Sequence, residues 1–393
     1  MTHVETRAPS STPAIVIACV AMFTDMLVYG LAIPILPLLP TVVAAGPAAA
    51  GVLFASYAVA MLAATPVTGW LVDRFGPRVP LLCGMLGLAA ATALFALSEQ
   101  YWVLTFARVV QGASGAMGWV AGLSLVATVT TPANRGRAMG FAMSMTSVGL
   151  LVGPPLAGIL VEHFTVQTPF LVASGLAVLG ALGWLTVRGS GRGAGEQGGP
   201  RGVLRVRGIW PVLGAVLLSA GTVAAIEPIL PLHLTTGFGM SAMMVGVLFA
   251  VLVAASAVLS PVAGGLVGRV DARALAGLGV VSAAAGMALI GVAAQSWQVW
   301  VGMVLLGAGE GCLLAPTTTL VAELGMAATP PTLGGAYALY FLAFGSGLML
   351  GPLLAGAGTG WFGFGATLVG LAILTVAVGG LTLLRLPPGL RTP

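Results

Sequence analysis

The 393-residue chain is 58% hydrophobic and only 6% charged, with a net charge of +5 and a mean hydropathy of +1.07. A soluble domain carries about a quarter charged residues, so this composition excludes a water-soluble fold and predicts an integral membrane protein. Basic charge spread so thinly also argues against a nucleic-acid partner; the partners it implies are the bilayer and a small molecule. All 15 basic residues are arginine, and the absence of lysine excludes a P-loop and any retinal or pyridoxal Schiff base.

Apolar blocks long enough to cross a bilayer recur throughout, far longer than the alternating strands of a barrel. Inside lipid a chain must satisfy its own backbone polar groups, so the expected class is all-α. Twelve transmembrane spans are predicted: 14–36, 48–71, 80–98, 102–127, 138–161, 168–187, 209–232, 241–266, 274–294, 297–321, 334–358 and 362–385. The first is too long for a secretory h-region and lacks a small-residue cleavage site, so it reads as a span and not a cleaved signal. Cys19, Cys83 and Cys312 all fall within spans, which leaves no disulfide or zinc spacing and points to packing roles.

Arginine fixes the expected orientation. Arg7, Arg74, Arg78, Arg135, Arg137, Arg188, Arg192, Arg201, Arg205, Arg207, Arg269, Arg273, Arg385 and Arg391 lie in the tails and even-numbered loops, and the odd-numbered loops have none. The positive-inside rule then puts both termini in the cytoplasm. Gly189–Arg207 is the only long polar stretch, and its glycine and arginine content predicts a flexible linker. It separates an N-terminal six-helix bundle, 1–188, from a C-terminal one, 208–393.

The two halves repeat one another. GVLFA occurs at 51–55 and 246–250, PILP at 34–37 and 228–231, and GLLVGPPLAG at 149–158 matches GLMLGPLLAG at 347–356. These pairs are offset by 195, 194 and 198 residues, in the same order. Duplicated halves of this kind place a substrate site at the repeat interface near the membrane midplane.

Four ionisable residues sit inside spans. Asp25 lies halfway along the first, Arg108 several residues into the fourth, Glu227 before Pro228 in the seventh, and Glu310 near the middle of the tenth. A charge at the bilayer centre costs roughly 3 kcal/mol even on the lenient insertion scale, so such residues face a cavity, a partner or a transported ion. Three carboxylates facing one central cavity could not all stay charged cheaply. One or more is expected to exchange protons near neutral pH, and a cationic substrate could replace those protons. Arg108 is expected to serve as their counter-ion or to help relay protons. The acids Glu5, Glu99, Glu162, Glu196, Asp271 and Glu323 fall in tails, loops or span ends and read as solvated, and His233 reads as an incidental loop residue.

The loop after the second span reads Gly69-Trp-Leu-Val-Asp73-Arg74-Phe-Gly76-Pro-Arg78. Its glycines permit a tight turn, and Asp73 with the two arginines can bridge neighbouring helix ends. This ordered pattern resembles the signature loop of the major facilitator superfamily, with a weakened copy at 265–273 in which Gly268 replaces the aspartate. Arg108-Val-Val-Gln-Gly112 resembles a further motif of that superfamily. The string Gly149, Gly153, Pro154, Gly158 resembles its antiporter motif, in which small residues allow close helix approach and the prolines kink the helix.

The resemblance is closest to the twelve-helix drug/proton antiporter branch, and within it to the vesicular amine transporters. It implies that Asp25, Glu227 and Glu310 fall on acids used for amine and proton binding. It also implies that Phe54, Phe249 and Tyr337 line the central pocket, where a ring face could hold an ammonium. Tyr57 stands where those transporters carry a lysine, and Phe341 where they carry a further acid, so the ion-pair network differs here.

The expected function is therefore a monomeric, proton-coupled antiporter exporting lipophilic, cationic or amine-containing compounds from a bacterium, with protons as coupling ion and no other cofactor. Two alternatives have distinct signatures. A neutral-solute carrier would be indifferent to a pH gradient, and a transporter-derived receptor would bind without accumulating ligand. No metalloprotease or nucleophile-elbow pattern indicates an enzyme.

Overall fold

A computed structural model describes residues 11–185, 200–266 and 269–385. Its long helices follow the predicted spans closely: α1 (Ser11–Ile35), α2 (Pro47–Phe75), α3 (Arg78–Leu97), α4 (Tyr101–Val129), α5 (Pro132–His163) and α6 (Thr168–Leu185) in the first half. The second half contains α7 (Ile209–Ile226), α8 (Ala242–Leu266), α9 (Ala272–Gly291), α10 (Ser296–Met326), α11 (Leu333–Phe362) and α12 (Phe364–Arg385). Eleven spans, counting α7 together with the short helix after it, are long and apolar enough to cross a bilayer, and α6 contributes a shorter apolar core, Thr168–Gly183.

The repeated PILP segments interrupt the chain in both halves. After Pro34, α1 passes into a 3-10 turn at Leu36–Leu38. At Glu227–Ile229 α7 breaks, and the chain resumes as a short helix, Leu230–Phe238. Proline supplies no amide hydrogen and crowds the preceding turn, which is why the helix is interrupted near each PILP, though a few residues earlier in the second half. Pro154 and Pro155, by contrast, lie within an uninterrupted α5.

Glycine sets the helix packing, and the repeat makes it symmetric. A methyl group on Gly153 would press on the backbone of Gly30 at 3.0 Å, and Gly149 abuts Phe23 and Leu27. These two glycines press α5 against α1 around Asp25. The equivalent glycines of α11, Gly347 and Gly351, abut Leu217, Gly221 and Ala225 of α7. Further along the same two strings the contacts cross between halves. Gly158 meets Ala242 and Met243 of α8, and Gly356 meets Pro47 and Gly51 of α2. Each GVLFA segment reciprocates, Gly51 against the Pro352 carbonyl and Gly246 against the Pro154 carbonyl. The two halves therefore meet through a matched pair of contacts, α2 with α11 and α5 with α8.

These contacts lie toward the arginine-free end of the helices. One apolar core runs through both halves there, including Leu53, Phe54, Ile226, Ile229, Leu248 and Phe249. Toward the arginine-bearing end, among the described residues, the core divides. One cluster, with Cys19, Val72 and Leu125, belongs to the first half alone, and another, with Ile209, Leu320 and Tyr340, to the second. The halves share one core at one end, and their cores are split at the other. Exposed tryptophans mark both interfaces, Trp102, Trp297 and Trp361 at one end and Trp70 and Trp210 at the other.

Two sequence expectations change. Part of the predicted flexible linker is ordered: Pro200–Val203 forms a helical turn, and Val203 is fully buried beside Ile209, Leu320 and Ala336. An apolar residue with a core to enter overrides the polar composition around it. Residues 189–199 of that linker and Gly268 lie outside the described residues. Cys19 and Cys312 pack internally as expected, but Cys83 is exposed on α3.

Candidate functional site

The structure assembles most of the predicted ionisable groups around α1, α4 and α7. Asp25 is 2% exposed, and its Oδ2 accepts a hydrogen bond from Trp119 Nε1 of α4 at 3.1 Å. Beside it, Gly115 leaves room that a side chain would fill. A methyl there would lie 2.9 Å from the Tyr57 hydroxyl and 3.1 Å from Asp25 Oδ1. Both of those oxygens are buried without a bonded partner.

Arg108 is fully buried. Its Nη1 donates to Gln111 Oε1 at 2.9 Å, one helical turn along α4. Its guanidinium carbon lies 4.6 Å from the ring centre of Phe54, 5.4 Å from Tyr29 and 5.5 Å from Tyr57. Among the described residues, its Nε and Nη2 make no hydrogen bond. Three π faces hold the cation, an arrangement worth about 2 kcal/mol or more per face when desolvated. Asp25 and Glu227 both remain within its electrostatic reach.

Glu227 caps α7 at the PILP break and is 4% exposed. Its Oε2 accepts a hydrogen bond from the Tyr29 hydroxyl at 2.6 Å. That bond joins the first half to the second. Tyr29 in turn packs against Tyr57, with ring centres 5.0 Å apart. Asp25, Tyr57, Arg108, Tyr29 and Glu227 thus form one buried polar chain across the interface.

Glu310 lies apart from Asp25. It is half-buried on α10, with Ser256 of α8 and Tyr340 of α11 as its interaction partners, and it shares an electrostatic field with Glu227. Flanking glycines wedge it in place, Gly309 against Gly279 and Ala283, and Gly311 against Ser256 and Ser260. The three acids therefore occupy one polar region but not one open cavity, since Asp25 and Glu227 are sealed within the helices.

The predicted aromatic positions divide in the same way. Phe54 and Tyr57 form part of the arginine cage, and Phe249 is buried in the core. Phe341 meets Trp119 edge-on across the halves at 5.8 Å. Tyr337 is 37% exposed and touches Tyr340 at 6.3 Å. The sequence reading missed three members: Tyr29, Trp119 and Gln111. Gln111 was within the quoted Arg108–Gly112 motif, and Tyr29 stands four residues, one helical turn, beyond Asp25.

In the signature loop, Gly76 adopts φ +76° between α2 and α3, a backbone state that favours glycine. Arg74 lies 5.5 Å from the Trp70 ring and 5.6 Å from Phe75. Asp73 and Arg78 flank this turn, and Gly69 on α2 faces open space.

Two duplicated six-helix units with buried ionisable groups at their junction define a polytopic membrane carrier. The sequence agrees with that class: residues 18–226 and 212–393 match the Major Facilitator Superfamily, and the chain belongs to it. That superfamily is one of transporters, not enzymes. The chain is 36% identical over 182 residues to the probable vesicular acetylcholine transporter-B of Danio rerio, covering 44% of this chain and 37% of that protein. It is 42% identical over 134 residues to the human chromaffin granule amine transporter, covering 34% of this chain and 26% of that protein. The match thus spans between about a quarter and little more than a third of these curated relatives. The fold resembles a bacterial homologue of the human lysosomal transporter Spinster, in an inward-facing, unoccupied structure, with TM-score 0.84 at 14% identity, covering 96% and 97% of the two chains. It also resembles the nucleoside transporter NupG, with TM-score 0.80 at 11% identity, covering 95% and 100%.

Proposed function

We propose that this chain is a proton-coupled antiporter that exports lipophilic, cationic or amine-containing small molecules across a bacterial plasma membrane. The observation that carries this reading is the pair Asp25 and Glu227, carboxyls sealed among apolar helices, bonded by the neutral donors Trp119 and Tyr29 and sharing the single buried cation Arg108. One cation offsets one of two carboxylates, so the other holds either a proton or a substrate cation. Exchange of one for the other is the elementary step of antiport. The distant amine-transporter relatives support a cationic substrate.

With both termini and the arginine-bearing loops in the cytoplasm, the split end of the molecule opens inward and the shared core closes the outside. Cytoplasmic substrate enters between the halves, and protons return from outside after the bundles rock. A ligand drives this cycle only if it binds the two facings and protonation states differently. Asp25 and Glu310 carry the exchange in this scheme, Glu227 engages substrate or proton on the outer side, and Arg108 tunes the acids.

The test is proton release from detergent-solubilised protein on adding a panel of amines, dyes and antibiotics. Release by cationic members that disappears in an Asp25→Asn, Glu227→Gln variant is the expected result. Binding of neutral solutes with no proton release would overturn the reading.

A further inference from the structure

The bond between Tyr29 and Glu227 lies where the halves touch, at the closed end of the molecule, and both residues are buried, 7% and 4% exposed. The apolar and glycine-to-carbonyl contacts around it are symmetric between the halves, whereas this bond is not. The position equivalent to Glu227 in the first half is Ile33, directly before the other PILP, and it is apolar. Among the described residues, this polar contact therefore distinguishes one side of an otherwise duplicated seam.

We infer that the Tyr29 hydroxyl is the latch of the outer gate, holding the Glu227 carboxyl of the opposite half across the closed seam. Among the described residues, Tyr29 is the side-chain donor bonded to Glu227. Parting of the halves at this end must break that bond, so the bond weights the closed state. The same movement reaches the rest of the site, because Tyr29 also supplies one wall of the Arg108 cage and packs on Tyr57 beside Asp25. Tyr29 is thus a positioning residue: it ties closure of the outside to the geometry of the Arg108 cage. This rests on the carrier rocking between two facings, and not on the coupling ion or the substrate.

The experiment is pulsed electron paramagnetic resonance on spin labels at Val43 and Thr236, which face one another across the closed rim from opposite halves and are both exposed. Cys19, Cys83 and Cys312 are replaced beforehand. Tyr29→Phe keeps the ring on Arg108 and removes only the hydroxyl. A buried hydrogen bond to a charged acceptor is worth enough to raise the open-to-closed ratio by about tenfold or more when removed. Tyr29→Phe should therefore add a long-distance population without ligand, and Glu227→Ala should do the same. Glu227→Gln keeps an acceptor oxygen and should retain the short distance. Monodisperse elution and unchanged helicity show that each variant is folded. A Tyr29→Phe distribution identical to wild type would overturn the latch. So would Glu227→Gln opening as far as Glu227→Ala, which would show that charge and not the hydroxyl bond holds the seam. Neither outcome depends on proton release, so the latch and the antiport reading fail separately.

Discussion

Replacing Gly51 or Gly246 by alanine tests whether the paired seam holds the closed state. A methyl at Gly51 would lie 3.2 Å from both the Pro352 carbonyl carbon and Gly356 Cα, and closer still to the Pro352 oxygen. At Gly246 it would lie 2.7 Å from the Pro154 carbonyl carbon and 3.1 Å from Pro155 Cα, with the Pro154 oxygen nearer again. Carbon atoms prefer about 3.5–4.0 Å, so the partner helices must separate by about 1 Å. Every atom in the way belongs to backbone, and no rotamer change can relieve it. Overpacking of this kind costs about 1–3 kcal/mol, and it falls on the closed state alone, because the open state separates these helices. Each substitution should raise the open-to-closed ratio roughly 5- to 150-fold. The two sites lie on different helix pairs, so their effects should add in the double variant. The Val43–Thr236 spin-label distance reads the shift. Unchanged distances with a lowered melting temperature would refute the reasoning, because they would mean that the glycines support the fold in both states.

Other outcomes follow from the site. Trp119→Phe retains the edge contact with Phe341 but removes the donor to Asp25. A charge-assisted hydrogen bond of this type is worth about 1.5–3 kcal/mol, so half-maximal uptake should move to a different pH in vesicle assays while the melting temperature changes little. Arg108→Lys keeps the charge but loses the planar stacking on Phe54, Tyr29 and Tyr57, so transport should fall at least tenfold without rescue. Gly112 abuts the Tyr57 carbonyl, and Gly112→Ala should lower thermal stability by about 1–3 kcal/mol through separation of α2 from α4. In native protein, a lipid-soluble maleimide should modify the exposed Cys83 well before the buried Cys19 and Cys312.

The helices were legible in the sequence because each bilayer crossing requires a long apolar run, but the break at Glu227–Ile229 was not read, and the predicted span 209–232 runs through it. The duplicated GVLFA and GPxLAG strings announced a repeat, but their reciprocal contact between halves is a product of three-dimensional closure that no local pattern encodes. Asp25, Arg108, Glu227 and Glu310 stood out because charge is rare in lipid. Their partners did not, because Tyr29 and Trp119 look like ordinary membrane aromatics until folding brings them to a carboxyl 198 or 94 residues away. The aromatic rings around Arg108 went unread for the same reason. Sequence shows that a buried cation needs compensation, but not whether carboxylates or aromatic faces supply it. Val203 illustrates the converse, a single apolar side chain ordering a segment whose composition reads as linker.

The most direct test of proton/cation exchange is uptake of a fluorescent cationic dye into inverted membrane vesicles energised by a pH gradient. Wild-type protein should accumulate dye until the gradient is collapsed, and an Asp25→Asn, Glu310→Gln double variant of equal abundance should not. Undiminished, gradient-driven accumulation by that double variant would contradict the assignment of exchange to these carboxyls.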